Sequence, residues 1–176
     1  MFWRHGYSNT TVDRVAKTMN MSKPSVYAAF GTKEELYCES LKIFCDGLVG
    51  AVVACELSDE SLADVLVNLF EREIDFYCQE DPPRGCFLVC TAPAETANCD
   101  AIREILSSTL RSIDGAFDRL IKSAVRLGKL SDETDVRTTA MTLQAILHTL
   151  AIRVRAGESP RSLKRYIREA VPAILR

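Results

Sequence analysis

The chain has 176 residues, an apolar fraction of 47% and a net charge of −2 at pH 7. This length fits one medium domain or a small domain joined to a larger one, and the apolar fraction can fill a core. The negative net charge excludes a protein that is basic throughout. Positive charge is nevertheless concentrated at the start: residues 1–37 carry five basic and three acidic side chains, whereas residues 38–176 carry 17 and 21.

Several classes of protein are disfavoured by what the sequence lacks. No apolar run approaches the roughly 20 residues that span a bilayer, and the N-terminal segment MFWRHGYSN does not have the pattern of a signal peptide. The seven cysteines are an odd number, so we interpret them as reduced thiols. Two histidines, no glycine-rich phosphate loop and no Ser/His/Asp set give no indication of an enzyme. A site built from carboxylates alone stays open, although no pattern indicates one.

We therefore expect a cytoplasmic protein that does not bind a membrane, has no catalytic residues and requires neither a metal nor another cofactor.

The segment TTVDRVAKTMNMSKPSVYAAFGTKEEL, residues 10–36, predicts two short helices and the start of a third. Thr10 and Asp13 have the spacing of a capping box at the start of the first helix. Asn20 stands where the following turn needs a left-handed residue, and Ser22 is a suitable cap for the second helix. Two short helices joined by a tight turn form a helix-turn-helix, whose second helix can enter the major groove of DNA.

The second short helix has side chains suited to DNA. Its inner side carries Val26, and its outer side carries Lys23, Ser25, Tyr27 and Ala28. Lys23 supplies positive charge, Tyr27 a flat ring with a hydroxyl, and Ala28 allows close approach to a thymine methyl group. Alternatively, these could be ordinary solvent-facing residues of a helical hairpin. The spacing of the caps and the turn favours the DNA-binding interpretation.

A set of short motifs covers about thirty consecutive residues. They are Gly6-Tyr7, Thr10-Thr11-Val12, Val15-Ala16, Met21-Ser22-Lys23, Val26-Tyr27, Phe30 and Lys33-Glu34-x-Leu36. In this combination the segment resembles the DNA-binding domain of the tetracycline-repressor (TetR) family of bacterial transcription regulators. Members of that family usually have a full helix before the Gly-Tyr pair, whereas only MFWRH precedes it here. We therefore expect a first helix that is largely missing.

The resemblance implies which side chains contact double-stranded operator DNA. Thr10 and Thr11 would contact backbone phosphates, and Lys33 would bind a phosphate with help from the dipole of its helix. The recognition face would consist of Lys23, Pro24, Ser25, Tyr27 and Ala28.

The remainder of the chain has the apolar periodicity of long helices and no strand pattern. The predicted helices run from about Thr32 into the mid-fifties, from Ser58 through Tyr77, through CFLVCTAPAET to Pro93, from about Ile102 to Gly128, and over about 132–156 and 160–175. The segment QEDPPRG, residues 79–85, would end the second of them. We predict an all-α fold with a helix-turn-helix DNA-binding domain at 1–37 and, as the resemblance implies, a ligand-binding and dimerisation domain at 38–176.

The last two helices would form the interface of a homodimer, as the resemblance implies. The predicted interface residues are Leu143, Leu150, Val154, Leu163, Ile167 and Val171. Met141, Ala145 and Ile146 widen the apolar face beyond what one neighbouring helix needs. The alternative is that these helices only complete the core of one chain.

A cavity among the helices of this domain would admit a small-molecule effector, again as the resemblance implies. Its candidate lining residues are Phe70, Ile74, Tyr77, Phe87, Cys90, Leu110, Phe117 and Leu147. For each of them we favour the alternative that it is a simple core residue, because apolar helix faces usually pack on each other.

Cys86 and Cys90 are four residues apart, so on one helix face they could ligate a soft metal or react with an oxidant. Buried cysteine also fills core positions as a small apolar residue, and we favour that interpretation. The function predicted is that of a homodimeric repressor that binds a palindromic operator and is released by a small apolar or amphipathic effector. The alternatives are a thiol- or metal-responsive regulator that uses Cys86 and Cys90, and a helical dimer that acts by protein contact without DNA.

Overall fold

A computed structural model describes residues 1–57, 60–79 and 85–175, and all regular structure in these ranges is helical. The helices are α1 (Phe2–His5), α2 (Val12–Thr18), α3 (Lys23–Phe30), α4 (Lys33–Val53), α5 (Leu62–Tyr77), α6 (Phe87–Thr91), α7 (Asp100–Arg126), α8 (Val136–Arg155) and α9 (Pro160–Ile174), with a short 3-10 helix at Pro93–Glu95. The all-α prediction is confirmed. No helix in the described ranges is long and apolar enough to cross a membrane.

The N-terminal three helices form a small head, and the turn between α2 and α3 has the predicted geometry. Asn20 has a φ of 54°, in the left-handed region. The Met21 N–H donates to the Ala16 carbonyl at 2.9 Å, and the Asn20 N–H donates to the Lys17 carbonyl at 3.3 Å. These two bonds satisfy carbonyls at the end of α2 that have no partner within the helix. They set the direction in which the chain enters α3.

The cap of α2 differs from the prediction by one residue. Thr11 is the extended residue before the helix, and its hydroxyl accepts from the Arg14 N–H at 3.3 Å. Thr10 is fully buried and donates its hydroxyl to the Gly6 carbonyl at 2.7 Å. The capping role assigned to Thr10 is therefore wrong, because this side chain holds the preceding turn instead.

The helices from α4 onward form the body. Thr32 and Glu35 make a capping box at the start of α4, as predicted. In the body α7 packs against both α4 and α8, and α5 packs against α9. Side chains at the centre of these contacts are fully buried, among them Leu41, Phe70, Ile113, Phe117 and Leu147.

The cap of α5 lies within the predicted Ser58/Ser61 region, whereas α8 starts later than predicted. Ser61 caps α5, its hydroxyl accepting from the Asp64 N–H at 3.1 Å, and Asp135 caps α8 in the same way through the Thr138 N–H at 3.0 Å. Ser58, the predicted start of α5, lies outside the described residues. The same is true of residues 80–84 within the predicted break at 79–85.

Aromatic side chains join the head to the body. The Trp3 ring in α1 lies 5.0 Å from the Phe44 ring, 5.6 Å from the Phe76 ring and 6.0 Å from the Phe87 ring, measured between centroids. Its indole N–H donates to the Gly85 carbonyl at 2.9 Å. The Trp3 indole thus contacts α4, α5 and the start of α6 at once, and the Phe2 and Tyr7 rings add contacts to Tyr37 on α4.

Candidate nucleic-acid interface

The candidate site is the outer side of α3, which is oriented by contacts at its two ends and on its inner side. At its start the Ser22 hydroxyl accepts from the Ser25 N–H at 3.2 Å. Pro24 lies in the first turn, where its missing N–H removes no helical hydrogen bond. The inward side chain Val26 is 1% exposed, and α3 packs on α2 and α4. The helix ends at Gly31, whose φ is 71°.

The structure brings the predicted recognition residues together on one exposed surface. We call this surface the α3 face; it consists of Lys23, Pro24, Ser25, Tyr27 and Ala28, all of which are exposed. The Tyr27 side chain is 44% exposed although it is a large aromatic group. The arrangement presents hydrogen-bonding groups, a ring and a small side chain to a partner rather than to the core.

Lys23 is oriented by a carboxylate on α2. Its Nζ lies 2.8 Å from Asp13 Oδ2, and the hydrogen bond to Asp13 raises the pKa of Lys23. Both side chains are substantially exposed, so the pair contributes little to stability and is screened by salt. The pair crosses from α2 to α3 and holds the ammonium group at the N-terminal end of the α3 face.

Lys33 lies at the first turn of α4, as the resemblance requires. Its Nζ is 4.2 Å from the centre of the Tyr7 ring, a cation–π distance. The N-terminus of α4 is already occupied in part: the Glu35 carboxylate accepts from the Thr32 N–H at 2.7 Å and from the Thr32 hydroxyl at 2.9 Å. These hydrogen bonds lower the pKa of Glu35. The lysine ammonium is thus the cationic group that this turn presents.

Of the two predicted threonine contacts, the structure retains one at the surface. Thr11 is exposed, whereas Thr10 is buried and is not part of the exposed surface of the head in this structure. Sequence reasoning assigned no role to Arg14 and Lys17, which are exposed on the outer side of α2. Arg14 and Lys17 lie on the side of α2 opposite Val15 and Ala16, and this position in the helical pattern could have identified them as surface residues.

Two families match this sequence. Residues 1–39 match the bacterial regulatory proteins of the tetR family, and residues 63–170 match the tetracyclin repressor-like C-terminal domain. This chain belongs to the TetR family. It is accordingly a transcriptional regulator with a DNA-binding helix-turn-helix rather than an enzyme.

Curated relatives of this TetR-family protein include named repressors. The HTH-type transcriptional repressor ComR of Escherichia coli (strain K12) is 24% identical over 162 residues, which are 90% of this chain and 76% of ComR. The negative transcriptional regulator IcaR of the biofilm operon icaADBC, from Staphylococcus aureus (strain Newman), is 33% identical over 76 residues, 43% of this chain and 41% of IcaR.

Solved structures of transcriptional regulators have the same fold. A cysteine mutant of CifR complexed with 26bp double-strand operator DNA has a TM-score of 0.82 and 23% identity, covering 98% of this chain and 90% of that one. FadR from Bacillus subtilis in complex with stearoyl-CoA has a TM-score of 0.74 and 12% identity, covering 97% and 90%.

The residues predicted to line an effector cavity are mostly packed in the core of this TetR-family protein. Six are at most 4% exposed: Phe70, Ile74, Tyr77, Phe87, Phe117 and Leu147. Cys90 and Leu110 are half-buried. The Phe70 and Phe117 rings lie 6.3 Å apart and pack on each other. In this structure these side chains pack on one another, and their role in lining an effector cavity stays a prediction.

A cavity does open elsewhere, between α4 and α5. It has a volume of about 330 Å³, and its lining residues are Ile43, Phe44, Gly47, Leu48, Glu73 and Phe76. None of these belongs to the predicted set.

The predicted dimer-interface residues also lie inside a single chain. All six are 0% exposed within a single chain: Leu143, Leu150, Val154, Leu163, Ile167 and Val171. They are buried because α8 and α9 already pack on α5 and α7 of the same chain. The large exposed apolar side chains of these two helices are Met141, Ile152 and Tyr166, which are 52%, 56% and 44% exposed.

Cys86 and Cys90 lie in surroundings that disfavour the thiolate form. Burial raises the pKa of Cys86 to about 12 and also raises that of Cys90. A raised pKa disfavours the thiolate, which is the form that ligates metals and reacts with oxidants. Across the described ranges no group of three or more His, Cys, Asp or Glu side chains is arranged to hold a metal ion. Burial of the two thiols therefore does not favour a thiol- or metal-responsive mechanism through Cys86 and Cys90.

Proposed function

We propose that this TetR-family regulator binds a palindromic operator as a homodimer, represses transcription, and is released when a small molecule enters its body. The observation that carries the proposal is the α3 face, an exposed set of DNA-compatible side chains on a short helix with a fixed orientation. ComR is named a repressor and IcaR a negative regulator, which supports repression rather than activation of transcription. The operator complex of CifR supports the kind of partner.

In this proposal the α3 face enters the major groove. Lys23, Ser25 and Tyr27 read base edges, and Ala28 permits close approach to the base pairs. Thr11, Arg14 and Lys17 on α2 lie beside the groove and contact phosphates, as does Lys33 at the start of α4. Phosphate contacts position the head, whereas base contacts select the sequence.

The homodimer in this proposal forms through the outer sides of α8 and α9. Met141, Ala145 and Ile152 are exposed at i, i+4 and i+11 on α8, which places them along one side of that helix. Tyr166 on the adjacent α9 extends the apolar surface. A two-fold dimer carries two α3 faces, and these fit half-sites separated by about 34–36 Å, one turn of DNA, or by a multiple of it.

Release by a small molecule involves α4 because this helix belongs to both parts of the protein. Its first turn carries Lys33, and its middle lines the cavity through Phe44 and Gly47. A ligand that favours another tilt of α4 would change the separation of the two heads in the dimer. Coupling of about 1–3 kcal/mol is typical of such regulators and would weaken operator binding by several-fold to about 100-fold.

Selection of DNA by the full-length protein from a pool of random-sequence duplexes tests the proposed function. We expect enrichment of an inverted repeat whose half-sites are centred one turn apart or a multiple of it. Placing that sequence upstream of a reporter gene should lower expression when the protein is present. Failure to enrich any duplex would overturn the proposal and favour a dimer that acts through protein contacts alone.

A further inference from the structure

The cavity between α4 and α5 combines an apolar lining with one carboxyl group. Ile43, Phe44, Leu48 and Phe76 supply the apolar and aromatic surface, and Gly47 leaves open space because it has no side chain. The remaining lining residue is Glu73. An acidic group in such a site is unusual because removing a carboxylate from water is unfavourable unless a partner compensates.

Glu73 differs from the other acidic residues nearby on α5. Glu71 and Asp75 each form an ion pair at 2.7 Å with α9, through Arg168 and Lys164 respectively. Glu73 is only 8% exposed and has no ion pair within the described ranges.

Burial raises the pKa of Glu73, while the hydroxyl of Tyr77 and the charge of Arg72 act in the opposite direction. These influences are insufficient to offset burial, and Arg72 itself is exposed. The cavity thus contains an acidic group whose charged form is incompletely compensated by the protein. A cation in the cavity would supply the missing partner.

The aromatic lining favours the same kind of ligand. The Phe44 and Phe76 rings have centroids 6.3 Å apart and planes inclined by 24°, and both rings line the cavity. Aromatic faces attract organic cations, and this attraction is strongest where the cation is removed from water. Aromatic rings beside a buried carboxyl group therefore select a positively charged molecule with an apolar body over a neutral or anionic one.

We propose that the cavity between α4 and α5 binds a small organic monocation, with its charged nitrogen beside Glu73 and its apolar part against Phe44 and Phe76. The inference rests on the proposed function insofar as this cation acts as the effector. It specifies the chemical class of that effector and the residues that recognise it.

The same aromatic residues connect the cavity to the head. Trp3 contacts both Phe44 and Phe76, and it is the single tryptophan of the chain. A ligand that displaces either phenylalanine must change the surroundings of Trp3, which lies in α1. The fluorescence of Trp3 therefore reports occupation of the cavity directly, without DNA.

Phenyltrimethylammonium and tert-butylbenzene form a matched pair of probes, because they have nearly the same shape and differ in charge. We expect the wild-type protein to bind the cation at least tenfold more tightly than the neutral molecule in Trp3 fluorescence titrations and calorimetry. Glu73→Gln should reduce the preference to less than about twofold, while the affinity for tert-butylbenzene stays within twofold of wild type. Equal affinities in the wild type, no binding of the cation, or a preference that persists in Glu73→Gln would each overturn the proposal.

A second pair of variants tests the location. Gly47→Leu projects a side chain into open space on the cavity side of α4 and should reduce binding of both probes at least tenfold. Gly50→Leu makes the same change on the same helix, also in open space, but borders a different cavity between α4 and α7. It should leave both affinities within twofold, and equal effects of the two variants would contradict the assigned site.

Operator affinity of each variant without a probe separates this inference from the proposed function. Glu73→Gln should bind the selected operator as tightly as the wild type and should resist release by the cation. If the protein binds no DNA but the probe preferences hold, the proposed function fails and the cation site stands. If operator binding is normal but the probes are not discriminated, the cation site fails alone.

Discussion

The same sequence-based reasoning predicts which side chains are exposed in the head, but it does not predict which are exposed on helices α8 and α9. In the head, Val26 is buried and Tyr27 is exposed, as the pattern of α3 predicts. On α8, Leu150 was expected to contact a second copy, yet it is fully buried within one chain, while Ile152 is 56% exposed. Periodicity identifies the apolar side of a helix, but it does not identify which neighbour covers that side.

The difference has a structural cause. Helix α3 is a short helix that packs on α2 of the head and on α4 of the body, and its remaining side is open to solvent. Helix α8 has 20 residues and packs on α5, α6, α7 and α9 of its own chain. A surface for a second chain must then be sought among the residues that remain exposed after those contacts are made.

The largest expected effect comes from a buried residue of α8. Leu150→Ala should lower the free energy of unfolding by about 2–5 kcal/mol, because it leaves a cavity in a packed core. Leu127, which is 57% exposed near the end of α7, provides the control: Leu127→Ala should change stability by less than about 0.5 kcal/mol. Urea unfolding followed by circular dichroism measures both. A change below about 1 kcal/mol for Leu150→Ala would contradict its placement in the core.

A charge on the exposed side of α8 should weaken the proposed dimer while the fold persists. Ile152→Glu is expected to raise the dimer dissociation constant by about 10–100-fold, since it would bury an unpaired carboxylate between the chains. Sedimentation velocity over a range of concentrations measures this constant. Leu127→Glu places the same charge on an exposed residue outside the proposed interface and should leave association unchanged. If Ile152→Glu also has no effect, the dimer forms elsewhere.

The turn of the head offers a smaller effect that tests a local prediction. Asn20→Ala should cost about 1–2 kcal/mol because alanine is disfavoured at a φ of 54°. Asn20→Gly keeps that conformation accessible and should stay within about 0.5 kcal/mol of wild type. Thermal unfolding of the three proteins side by side gives the comparison. Equal stabilities of the alanine and glycine variants would indicate that the turn does not enforce this geometry.

The smallest expected effect concerns the cysteines. With a pKa of about 12 for Cys86, nearly all of this thiol is protonated at neutral pH, and its thiolate fraction rises only as the pH approaches that value. Mild peroxide treatment at neutral pH should therefore change operator affinity by less than about twofold, and Cys86→Ala should behave like wild type. A large loss of affinity in the wild type that is absent from Cys86→Ala would restore the thiol-responsive alternative.

Local sequence signals were sufficient for most of the helices and for the set of side chains exposed on α3. The turn at Asn20 and the capping box of Thr32 and Glu35 depend on residues within a few positions of each other, and the structure contains both. The cap of α2 was assigned to Thr10 instead of the adjacent Thr11. The sequence does not distinguish two neighbouring threonines, whereas in the structure the Thr10 hydroxyl is bonded to the Gly6 carbonyl.

The cavity could not be predicted in the same way. Phe44 on α4 and Glu73 and Phe76 on α5 come together only in the folded chain. A cavity forms there only if no other side chain fills the space between them. Gly47 leaves space in the cavity because it has no side chain. The apolar periodicity of a helix identifies large buried side chains and not such a space. Sequence reasoning instead selected large apolar residues such as Phe70 and Phe117, which are the residues that fill a core.

The most direct test of the central claim is a fluorescence-anisotropy titration of the selected operator with wild type, Tyr27→Phe and Tyr27→Ala at one fixed salt concentration. Because the Tyr27 ring is exposed on the α3 face, we predict that Tyr27→Ala weakens binding by about 10–100-fold, whereas Tyr27→Phe keeps the ring and loses less. Unchanged circular dichroism in both variants would show that the fold is intact. Operator affinity that is the same for Tyr27→Ala and wild type would contradict the assignment of α3 as the recognition helix.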